Sequence, residues 1–344
     1  MTQPSVQINP TLSQSIRDFL QATSYTQIGV LVDTNTKISC YPLIQNSLPS
    51  HSILEISPGE EHKNLATCQQ VWKQLTKLNF DRHSLLIIVG GGVLGDLGGF
   101  CAATYKRGID FVLIPTTLLA QVDASIGGKL GIDFMDFKNH IGLFKNPVST
   151  LIHPAFVATL PERELRSGFA EVIKHCLIAD KVMWKEISLK ELKSQDWETL
   201  ITHSVRIKQH ITDQDPQEKG IRKVLNFGHT LGHALETYFL SAERRIFHGE
   251  AIAMGMIIES FIAERKGLLD KAELSAIQNY LVLIYGKPKE KFDIQRVLEL
   301  TIQDKKNKGS KVLLAVPNKI GQAIWDVEAS EGEMMEALEY YKSI

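Results

Sequence analysis

The sequence predicts an α/β N-terminal nucleotide-binding domain with a parallel sheet, followed by a mainly α-helical C-terminal domain that binds a metal. Short β-rich runs alternate with helical stretches in the first half, helical patterns dominate the second half, and a glycine-rich turn follows one early strand. The 344 residues also exceed the roughly 250 to 300 residues at which one hydrophobic core stops growing. We therefore expect two domains, residues 1–158 and 159–344.

Composition is that of an ordinary globular protein and indicates neither a nucleic-acid nor a membrane partner. The chain is 44% hydrophobic and 22% charged, with a formal net charge of −1. That balance gives no electrostatic reason to bind a polyanion, and no apolar run reaches the roughly 18 residues of a membrane span. The cysteines are far apart in sequence and follow no signal-like start, so we expect reduced thiols in a cytoplasmic protein.

Strand and helix patterns alternate in the first half. The runs Ile28–Asp33, Ser84–Val89 and Phe111–Pro115 are short and apolar, which is typical of buried strands. Residues Asn64–Leu78 carry apolar side chains at helical spacing. Strand, helix and strand in succession predict a parallel sheet with helices on both faces.

A glycine-rich turn follows the second of these strands. Gly90, Gly92 and Gly95 fit the spacing G-x-G-x-x-G directly after a strand. Without side chains at such a turn, backbone N–H groups can approach a pyrophosphate at the start of the next helix. The alternative is a tight turn in which the glycines serve only packing. Asp96, which follows at once, is not required by the ordinary dinucleotide fingerprint.

Helical patterns in the second half run from Glu162 to Ser204 and from Thr230 to Lys266. The polar stretch Asp213–Gly220 reads as a connecting loop, and the charged stretch Asp304–Ser310 reads as a loop before a late strand, Val312–Val316. We therefore expect the second domain to be mainly helical.

Three histidines in the second half predict a metal site. His229 and His233 are four residues apart, on one face of a helix, and His248 follows. A catalytic zinc site takes three protein ligands and keeps one position open, so two histidines and one carboxylate would suffice. Glu171 and Glu250 are the carboxylate candidates. The alternative is a histidine pair that serves packing or lies at the surface.

The helix that contains Glu171 also carries Lys174 one turn later. The pair is either a surface ion pair, worth a few tenths of a kcal/mol, or a buried pair retained for a site, which the apolar neighbours favour. Among the other cations, Lys129 stands out, because two glycines before it leave the backbone open to a ligand.

Several long motifs, in the same order, resemble the 3-dehydroquinate synthases, a family of sugar phosphate cyclases. The resemblance runs from about Asp33 to Leu314. Its most specific stretches are Gly90–Asp96, Pro115–Asp123, Ile126–Lys129, Lys138–Asn139, Leu160–Glu164, Ala170–Lys174, Asn226–His229 and His248–Glu250. The resemblance implies NAD on the N-terminal domain, Zn²⁺ or Co²⁺ on the helical domain, and a phosphorylated sugar acid as substrate between them.

The same resemblance implies roles for individual residues. It implies that Glu171, His229 and His248 bind the metal and that His233 acts on the substrate instead. The implied NAD contacts are Asp33, Asn35, Glu60, Lys63, Gly91, Gly92, Asp96, Thr116, Thr117, Lys129, Lys138, Thr159 and Leu160. The implied substrate contacts are Asp123, Lys129, Asn139, Lys174, Lys208, Arg222, Asn226, His233 and one of Lys305 or Lys306. A homodimer is implied as well, with Arg107 reaching the phosphate site of the neighbouring subunit.

The reaction that the resemblance implies is the conversion of 3-deoxy-D-arabino-heptulosonate 7-phosphate to 3-dehydroquinate and phosphate in the shikimate pathway. It proceeds by transient NAD-dependent oxidation, phosphate elimination, reduction, ring opening and intramolecular aldol closure. The substrate carries a carboxylate and a phosphate, which agrees with a site rich in lysine and arginine.

Three alternatives stand beside this interpretation. Another sugar phosphate cyclase, such as 2-deoxy-scyllo-inosose synthase, would share the cofactors, but Asn139, Arg222 and Asn226 favour a substrate with a carboxylate. A metal-dependent alcohol or glycerol dehydrogenase would accumulate NADH. The third alternative is a metal-stabilised nucleotide-binding protein without turnover.

The chain departs from the family pattern in three places, one of which is the pair Lys305-Lys306, which leaves the substrate contact undecided. His175 and Cys176 stand where the family often has Tyr-Gly, beside the implied metal ligand on the same helix. The segment Gln209–Gly220 is weakly similar to the family, so Lys208 is assigned by its spacing from Arg222. None of these departures changes the implied metal ligands.

Overall fold

The computed structural model describes residues 5–9, 11–135, 137–241, 245–287, 291–305 and 311–344. The chain divides into two compact units. Unit one runs to Pro161 and also includes Trp197–Val205, and unit two comprises Glu162–Asp196 and the residues from Arg206 onwards. Within the described residues, no helix is long and apolar enough to cross a membrane.

Unit one is built around a parallel sheet. Its strands are β1 (Ser5–Ile8), β2 (Ile28–Asp33), β3 (Ser52–Ile56), β4 (Leu85–Gly90), β5 (Asp110–Pro115), β6 (Lys129–Phe134), β7 (Phe137–Phe144) and β8 (Ser149–Ile152). Six of them pair in the order β1-β8-β5-β4-β2-β3, with every pairing parallel. The strands β6 and β7 form a separate antiparallel hairpin.

Both faces of this sheet are covered, as the sequence predicts for a parallel sheet. The helices of unit one are α1 (Leu12–Gln21), α2 (Thr34–Ser39), α3 (Leu65–Lys77) and α4 (Gly92–Thr104). Leu86 and Ile88 of β4 pack in a core cluster with side chains of α3 and α4. The alternate residues Leu85, Ile87 and Val89 pack in a second cluster with side chains of α1. The N-terminal sheet domain is therefore confirmed.

Unit two is mainly helical, which also confirms the predicted fold class. The remaining helices of the chain are α5 (Glu162–Ala179), α6 (Lys181–Ser188), α7 (Trp197–Gln214), α8 (His229–Ser241), α9 (His248–Arg265), α10 (Lys271–Tyr285), α11 (Ile294–Lys305) and α12 (Glu331–Ser343). Strands β9 (Val312–Lys319) and β10 (Gln322–Ala329) form an antiparallel hairpin in this unit. Residues Trp197–Val205 at the start of α7 are grouped with unit one.

Several of the predicted segments differ from the structure; the pattern Thr230–Lys266, for example, forms two helices, α8 and α9, and Asp304 and Lys305 of the expected loop belong to α11. The helical pattern from Glu162 to Ser204 is broken at Asp180, whose carboxylate accepts hydrogen bonds from the N–H groups of Val182 and Met183 and so starts a new helix. The loop expected from Asp213 begins later, because α7 continues to Gln214. Most of the expected loop before β9, residues 306–310, lies outside the described residues, and Lys306 with it.

Helices α8 and α9 approach each other closely through glycines. A Cβ atom placed on Gly255 of α9 would lie 1.9 Å from Gly228 O and 2.8 Å from Gly232 N. Gly228, just before α8, has a φ of +79°, in the left-handed region that glycine adopts without steric cost. The close approach places the first turn of α8 against the middle of α9.

We expect Gly255→Ala to lower the free energy of unfolding by about 2 kcal/mol or more, because the added carbon requires a shift of the backbone in a packed interior. Gly332→Ala in α12 is the matched control, since a Cβ atom there meets nothing within 4 Å. The control should be neutral or stabilising by up to about 1 kcal/mol. Denaturant unfolding of both variants measures the difference, and equal stabilities would contradict the close helix crossing.

Candidate active site

The candidate site in unit two is centred on Glu171, on the buried helix α5. Glu171 is 0% exposed, and the Nζ atom of Lys174, one turn later and 1% exposed, pairs with Glu171 Oε2. The interpretation as a surface ion pair is therefore wrong. Burial alone raises the pKa of Glu171, but Lys174 and two neighbouring histidines outweigh burial and hold this pKa well below its usual value. The carboxylate is therefore charged.

Two imidazoles face this carboxylate. His229 Nε2 lies 3.6 Å and His248 Nε2 lies 3.7 Å from Glu171 Oε1. These separations are long for direct hydrogen bonds. They are close to the distance of about 3.4 Å between neighbouring ligand atoms of a tetrahedral zinc site with bonds of about 2.0 to 2.1 Å. The spacing is that of ligands arranged around one ion.

The other ring nitrogens of these two histidines have acceptors as partners. His229 Nδ1 lies 3.1 Å from Phe227 O, and His248 Nδ1 lies 3.3 Å from Glu236 Oε2. A carbonyl and a carboxylate only accept, so each Nδ1 carries the proton and each Nε2 can present a lone pair. The residues present therefore fit a divalent metal ion.

The electrostatics of the two imidazoles differ. Burial, followed by the charge of Lys174, holds the pKa of His229 well below its usual value, so this ring is neutral. Burial also lowers the pKa of His248, but the nearby carboxylates of Glu171 and Glu236 outweigh burial and raise it from 6.5 to about 9. The two carboxylates favour a proton on His248. A metal cation bound to this ring would take the place of that proton.

His233 lies beside the pair. Its ring centroid is 5.0 Å from that of His229 and 5.7 Å from that of His248. One nitrogen from each of the three rings lies within 4.8 Å of the others. The distances therefore allow either Glu171 with two histidines or the three histidines as ligands, and the substrate role of His233 stays a prediction.

Glu250, the second carboxylate candidate, has other partners. Its two oxygens accept hydrogen bonds from Arg163 Nε and Nη2, both at 2.8 Å, and Oε2 also accepts from Phe247 N at 2.8 Å. Glu250 thereby caps the start of α9, whose first residue is His248. Of the two candidates, Glu171 is the one that faces the imidazoles.

Two further predicted residues of unit two lie just before α8. Arg222 and Asn226 belong to a 3-10 helix, Ile221–Asn226. Arg222 Nη1 donates to Pro216 O at 2.9 Å, and Asn226 Nδ2 donates to Glu218 Oε1 at 2.7 Å. Glu218 carries no signal in the sequence, because it belongs to a polar loop without a recognisable pattern.

Three further predicted lysines belong to unit two, and two of them lie on described helices. Lys208 lies on α7, in unit two, and is buried. Lys305 is the last residue of α11, and Lys306 lies outside the described residues. The choice between Lys305 and Lys306 as a substrate contact therefore stays open.

In unit one, the glycine turn joins β4 to α4, as the sequence predicts. Gly91 precedes the helix, and within the described part of the chain no side chain caps its first turn. A Cβ atom on Gly91 would lie 2.9 Å from Thr117 Cγ2. Residues 90–92 line a cavity together with Asp96 and Lys129. The turn therefore offers backbone N–H groups and space to a phosphate.

Lys63 brings several predicted residues of unit one together. It is 4% exposed, and its Nζ atom donates to Asp96 Oδ2 at 2.6 Å and to Asn139 Oδ1 at 2.5 Å. Burial lowers the pKa of Lys63, but Asp96 and Glu60 outweigh burial and raise it. Lys138 Nζ lies 3.8 Å from Glu60 Oε1. The ammonium group of Lys63 thus links Asp96, which is assigned to NAD, with Asn139, which is assigned to the substrate.

Other predicted NAD residues lie at the ends of the strands. The carboxylate of Asp33 accepts from Thr36 N at 2.8 Å and caps α2, on which Asn35 also lies. Thr116 and Thr117 follow β5, and after β8 Thr159 ends a 3-10 helix, Pro154–Thr159, with Leu160 next. Parallel strands end at a common edge of the sheet.

Asp123 and Arg107 occupy irregular backbone. Asp123 belongs to a π-helical turn, Ala120–Ala124. Arg107 has a φ of +70° and lies between Lys106 at +49° and Gly108 at +110°. Consecutive non-glycine residues in the left-handed region are strained.

Relatives with established names match both halves of the chain. The sequence models described as 3-dehydroquinate synthase N-terminal and C-terminal match residues 53–167 and 168–307. The 3-dehydroquinate synthase of Parabacteroides distasonis is 35% identical, with 99% of each chain covered. That of Streptococcus pneumoniae is 41% identical, covering 79% of this chain and 78% of its own.

Solved structures show the same fold. 2-epi-5-epi-valiolone synthase from Streptomyces hygroscopicus has a TM-score of 0.88 at 25% identity, covering 100% of this chain and 98% of its own. 2-deoxy-scyllo-inosose synthase has a TM-score of 0.86 at 24% identity, covering 97% and 96%. The fold is therefore that of the sugar phosphate cyclases. Within them, the chain belongs to the 3-dehydroquinate synthase family, which confirms the resemblance seen in the sequence motifs.

We expect His229→Ala and His248→Ala to lose bound zinc, because the two remaining protein ligands rarely hold zinc in an open site. His233→Ala should retain zinc, as should His210→Ala, an exposed histidine of α7 that serves as the control. Metal content after gel filtration distinguishes the variants. Full occupancy in His248→Ala would contradict the ligand set, and zinc loss in His233→Ala but not in His229→Ala would reverse their roles.

Proposed function

We propose that this chain is an enzyme that converts 3-deoxy-D-arabino-heptulosonate 7-phosphate to 3-dehydroquinate and phosphate. One observation carries the proposal. The buried carboxylate of Glu171 faces Nε2 atoms of His229 and His248 in a chain whose two halves match the 3-dehydroquinate synthase family. Incubation of the pure protein with this heptulosonate phosphate, followed by identification of the product, tests it.

The proposal includes NAD on unit one and Zn²⁺ or Co²⁺ on unit two. The structural relative from Streptomyces hygroscopicus was solved with NAD⁺ and Zn²⁺, and 2-deoxy-scyllo-inosose synthase with NAD⁺ and Co²⁺. When bound, the two groups would supply a reversible hydride acceptor and a Lewis acid for a hydroxyl oxygen. The uncapped first turn of α4 and the Nε2 atoms facing Glu171 support these positions.

In unit two, we assign proton and hydrogen-bond roles to two residues beside the proposed metal ligands. Lys174 is buried against Glu171, so its ammonium is held in place and can donate a hydrogen bond without reorganisation. His233 is exposed beside His229 and His248, and an imidazole can accept and return a proton near neutral pH. His233 is therefore our candidate for moving substrate protons.

We assign the anionic groups of the substrate to cations and amides of the chain. A carboxylate and a phosphate are held best by charge-assisted hydrogen bonds from fixed donors. Lys129 and Asn139 are the candidates in unit one, with Asp123 for substrate hydroxyl groups. The candidates in unit two are Lys208 on α7 and, before α8, Arg222 and Asn226, whose side chains donate to Pro216 O and Glu218 Oε1.

A second candidate function is that of another sugar phosphate cyclase. The structural similarity to two such enzymes, with TM-scores of 0.88 and 0.86, favours it over a dehydrogenase. A probable glycerol dehydrogenase from Sinorhizobium meliloti has a TM-score of 0.64 at 16% identity. The two cyclases are only 25% and 24% identical, against 35% and 41% for the two 3-dehydroquinate synthases. We therefore favour the dehydroquinate product.

We also propose that the enzyme is a cytoplasmic homodimer in which Arg107 acts in the neighbouring subunit. The four cysteines are all free thiols, which is compatible with a reducing compartment. Arg107 is exposed on a turn with three successive positive φ values. A strained backbone of this kind persists where the surrounding structure holds it in place, and such positions cluster at functional sites.

We expect a catalytic quantity of NAD⁺ to support many turnovers, with one phosphate released per substrate and no lasting rise in NADH absorbance. The reason is that the hydride returns to the substrate that supplied it, so the reaction is redox-neutral. Phosphate release and absorbance at the NADH band are recorded in the same reaction. Stoichiometric NADH, or a product that keeps its phosphate, would rule out a cyclase and leave the dehydrogenase.

We expect a mixture of Arg107→Ala and Lys174→Ala subunits to recover activity that neither variant has alone. A mixed dimer would contain one composite site in which both residues are intact. Activity is measured after subunit exchange, with exchange verified by differently tagged subunits. Arg82→Ala, another exposed arginine of unit one, is the control and should be active by itself. Absence of recovery in verified mixed dimers would place Arg107 outside the neighbouring site.

A further inference from the structure

We propose that α8 and α9 hold each other's metal-binding histidine in position through two buried carboxylates, Glu236 and Glu259. Each carboxylate belongs to one helix and contacts the N-terminal end of the other. Both are positioning residues, because they act through His248 and His229 rather than on the substrate. This inference rests on the metal site of the proposed function and adds residues that its ligand set does not include.

Glu236 acts on a side chain. It lies on α8, is 7% exposed, and its Oε2 atom is 3.3 Å from Nδ1 of His248, the first residue of α9. Because a carboxylate only accepts, it keeps the proton on Nδ1 and directs the lone pair of Nε2 towards Glu171. It also fixes the rotation of the imidazole ring and makes it a stronger ligand.

Glu259 acts on the backbone. It lies on α9 and is 0% exposed. Its Oε2 atom accepts from Gly228 N at 2.6 Å, and its Oε1 atom accepts from Leu231 N at 3.0 Å. These N–H groups belong to the start of α8, where backbone donors lack partners within the helix. The carboxylate therefore fixes the first turn of α8, which begins at His229.

The two contacts are reciprocal. They also depend on each other, because α8 and α9 cross closely at glycines. Glu236 of α8 holds the first residue of α9, and Glu259 of α9 holds the first turn of α8. Between them, Gly255 and Gly228 bring the backbones so close that a Cβ atom would not fit. A buried carboxylate is costly unless charge-assisted hydrogen bonds compensate its desolvation. The helix ends supply such bonds, and the two histidines are thereby placed before any metal binds.

The two carboxylates should respond differently to substitution. Glu236→Leu removes the acceptor from His248 Nδ1, whereas Glu236→Gln keeps a neutral acceptor oxygen and should lose less. Glu259→Gln keeps one acceptor oxygen for two N–H donors, so one donor of the first turn of α8 is left unpaired. Glu236 variants should therefore change mainly the metal site, and Glu259→Gln should also destabilise the metal-free protein.

Zinc affinity of the full chain, measured by competition with a chelating dye, tests the proposal. We expect Glu236→Leu to weaken zinc binding about 10- to 100-fold and Glu236→Gln to weaken it less. The metal-free melting temperature of both should stay near that of the wild type. Glu299→Gln, which alters an exposed ion pair with Arg296 on α11, is the control and should match the wild type in both measurements.

A second readout separates positioning from general destabilisation. With Co²⁺ in place of Zn²⁺, the visible absorption bands report the ligand arrangement, and we expect them to shift in Glu236→Leu but not in the control. For Glu259, we expect both the affinity and the metal-free melting temperature to fall. Should Glu259→Gln fail to fold, Glu259→Asp keeps the charge but is too short to reach both N–H groups, and the same two losses are expected.

The outcomes distinguish this inference from the proposed function. Unchanged zinc affinity and an unchanged Co²⁺ spectrum in Glu236→Leu would overturn the role of Glu236, with the proposed function intact. Unchanged affinity in a folded Glu259 variant would overturn the role of Glu259. Failure of the wild type to bind zinc or cobalt would overturn the metal site itself, and this inference with it.

Discussion

A charged carboxylate with no exposure to solvent is the constraint on which the rest of unit two depends. Glu171 lies inside a helix that is buried on all sides from Ser167 to Ile178, and its desolvation must be offset by nearby positive charge. Lys174 supplies one charge from the same helix. A divalent ion between Glu171 and the two imidazoles would leave the centre with a net positive charge, which suits a substrate that carries a carboxylate and a phosphate.

The histidines proposed to bind the metal are placed by helix ends rather than by helix faces. His229 and His248 are each the first residue of a helix, where the path of the chain is set by capping. Glu250 and Arg163 fix the start of α9. Backbone N–H groups at the start of a helix lack partners within the helix, so carboxylates from elsewhere can bind them. In this way the carboxylates control the position of the histidine at that helix start. A ligand in the middle of a helix would have to be positioned by side-chain packing instead.

The sequence predicts what depends on local pattern and misses what depends on contacts between elements. Strand β2 and helix α3 follow from apolar periodicity, and the glycine turn follows from spacing. The i, i+4 spacing places His229 and His233 on one face but does not say which nitrogen faces Glu171. That choice depends on the partner of Nδ1, which only the structure gives.

Glu218, Glu236 and Glu259 have no motif, since their partners are remote in sequence or in irregular backbone. Strands β3, β6, β7 and β10 are not predicted because polar residues interrupt their apolar runs, and β1 and β8 are only 4 residues long.

Each unit contains a buried lysine paired with a carboxylate among the residues assigned to ligands. Lys63 pairs with Asp96 in unit one, and Lys174 pairs with Glu171 in unit two. A flexible, strongly hydrated ammonium is costly to bury, so its retention needs a gain that an apolar side chain could not supply. In unit one that gain is a link between Asp96 on α4 and Asn139 on the β6–β7 hairpin. In unit two it is a fixed donor beside the proposed metal ligands. Because folding has already met the cost of ordering both ammonium groups, little reorganisation is left for the moment when charge develops on a bound substrate.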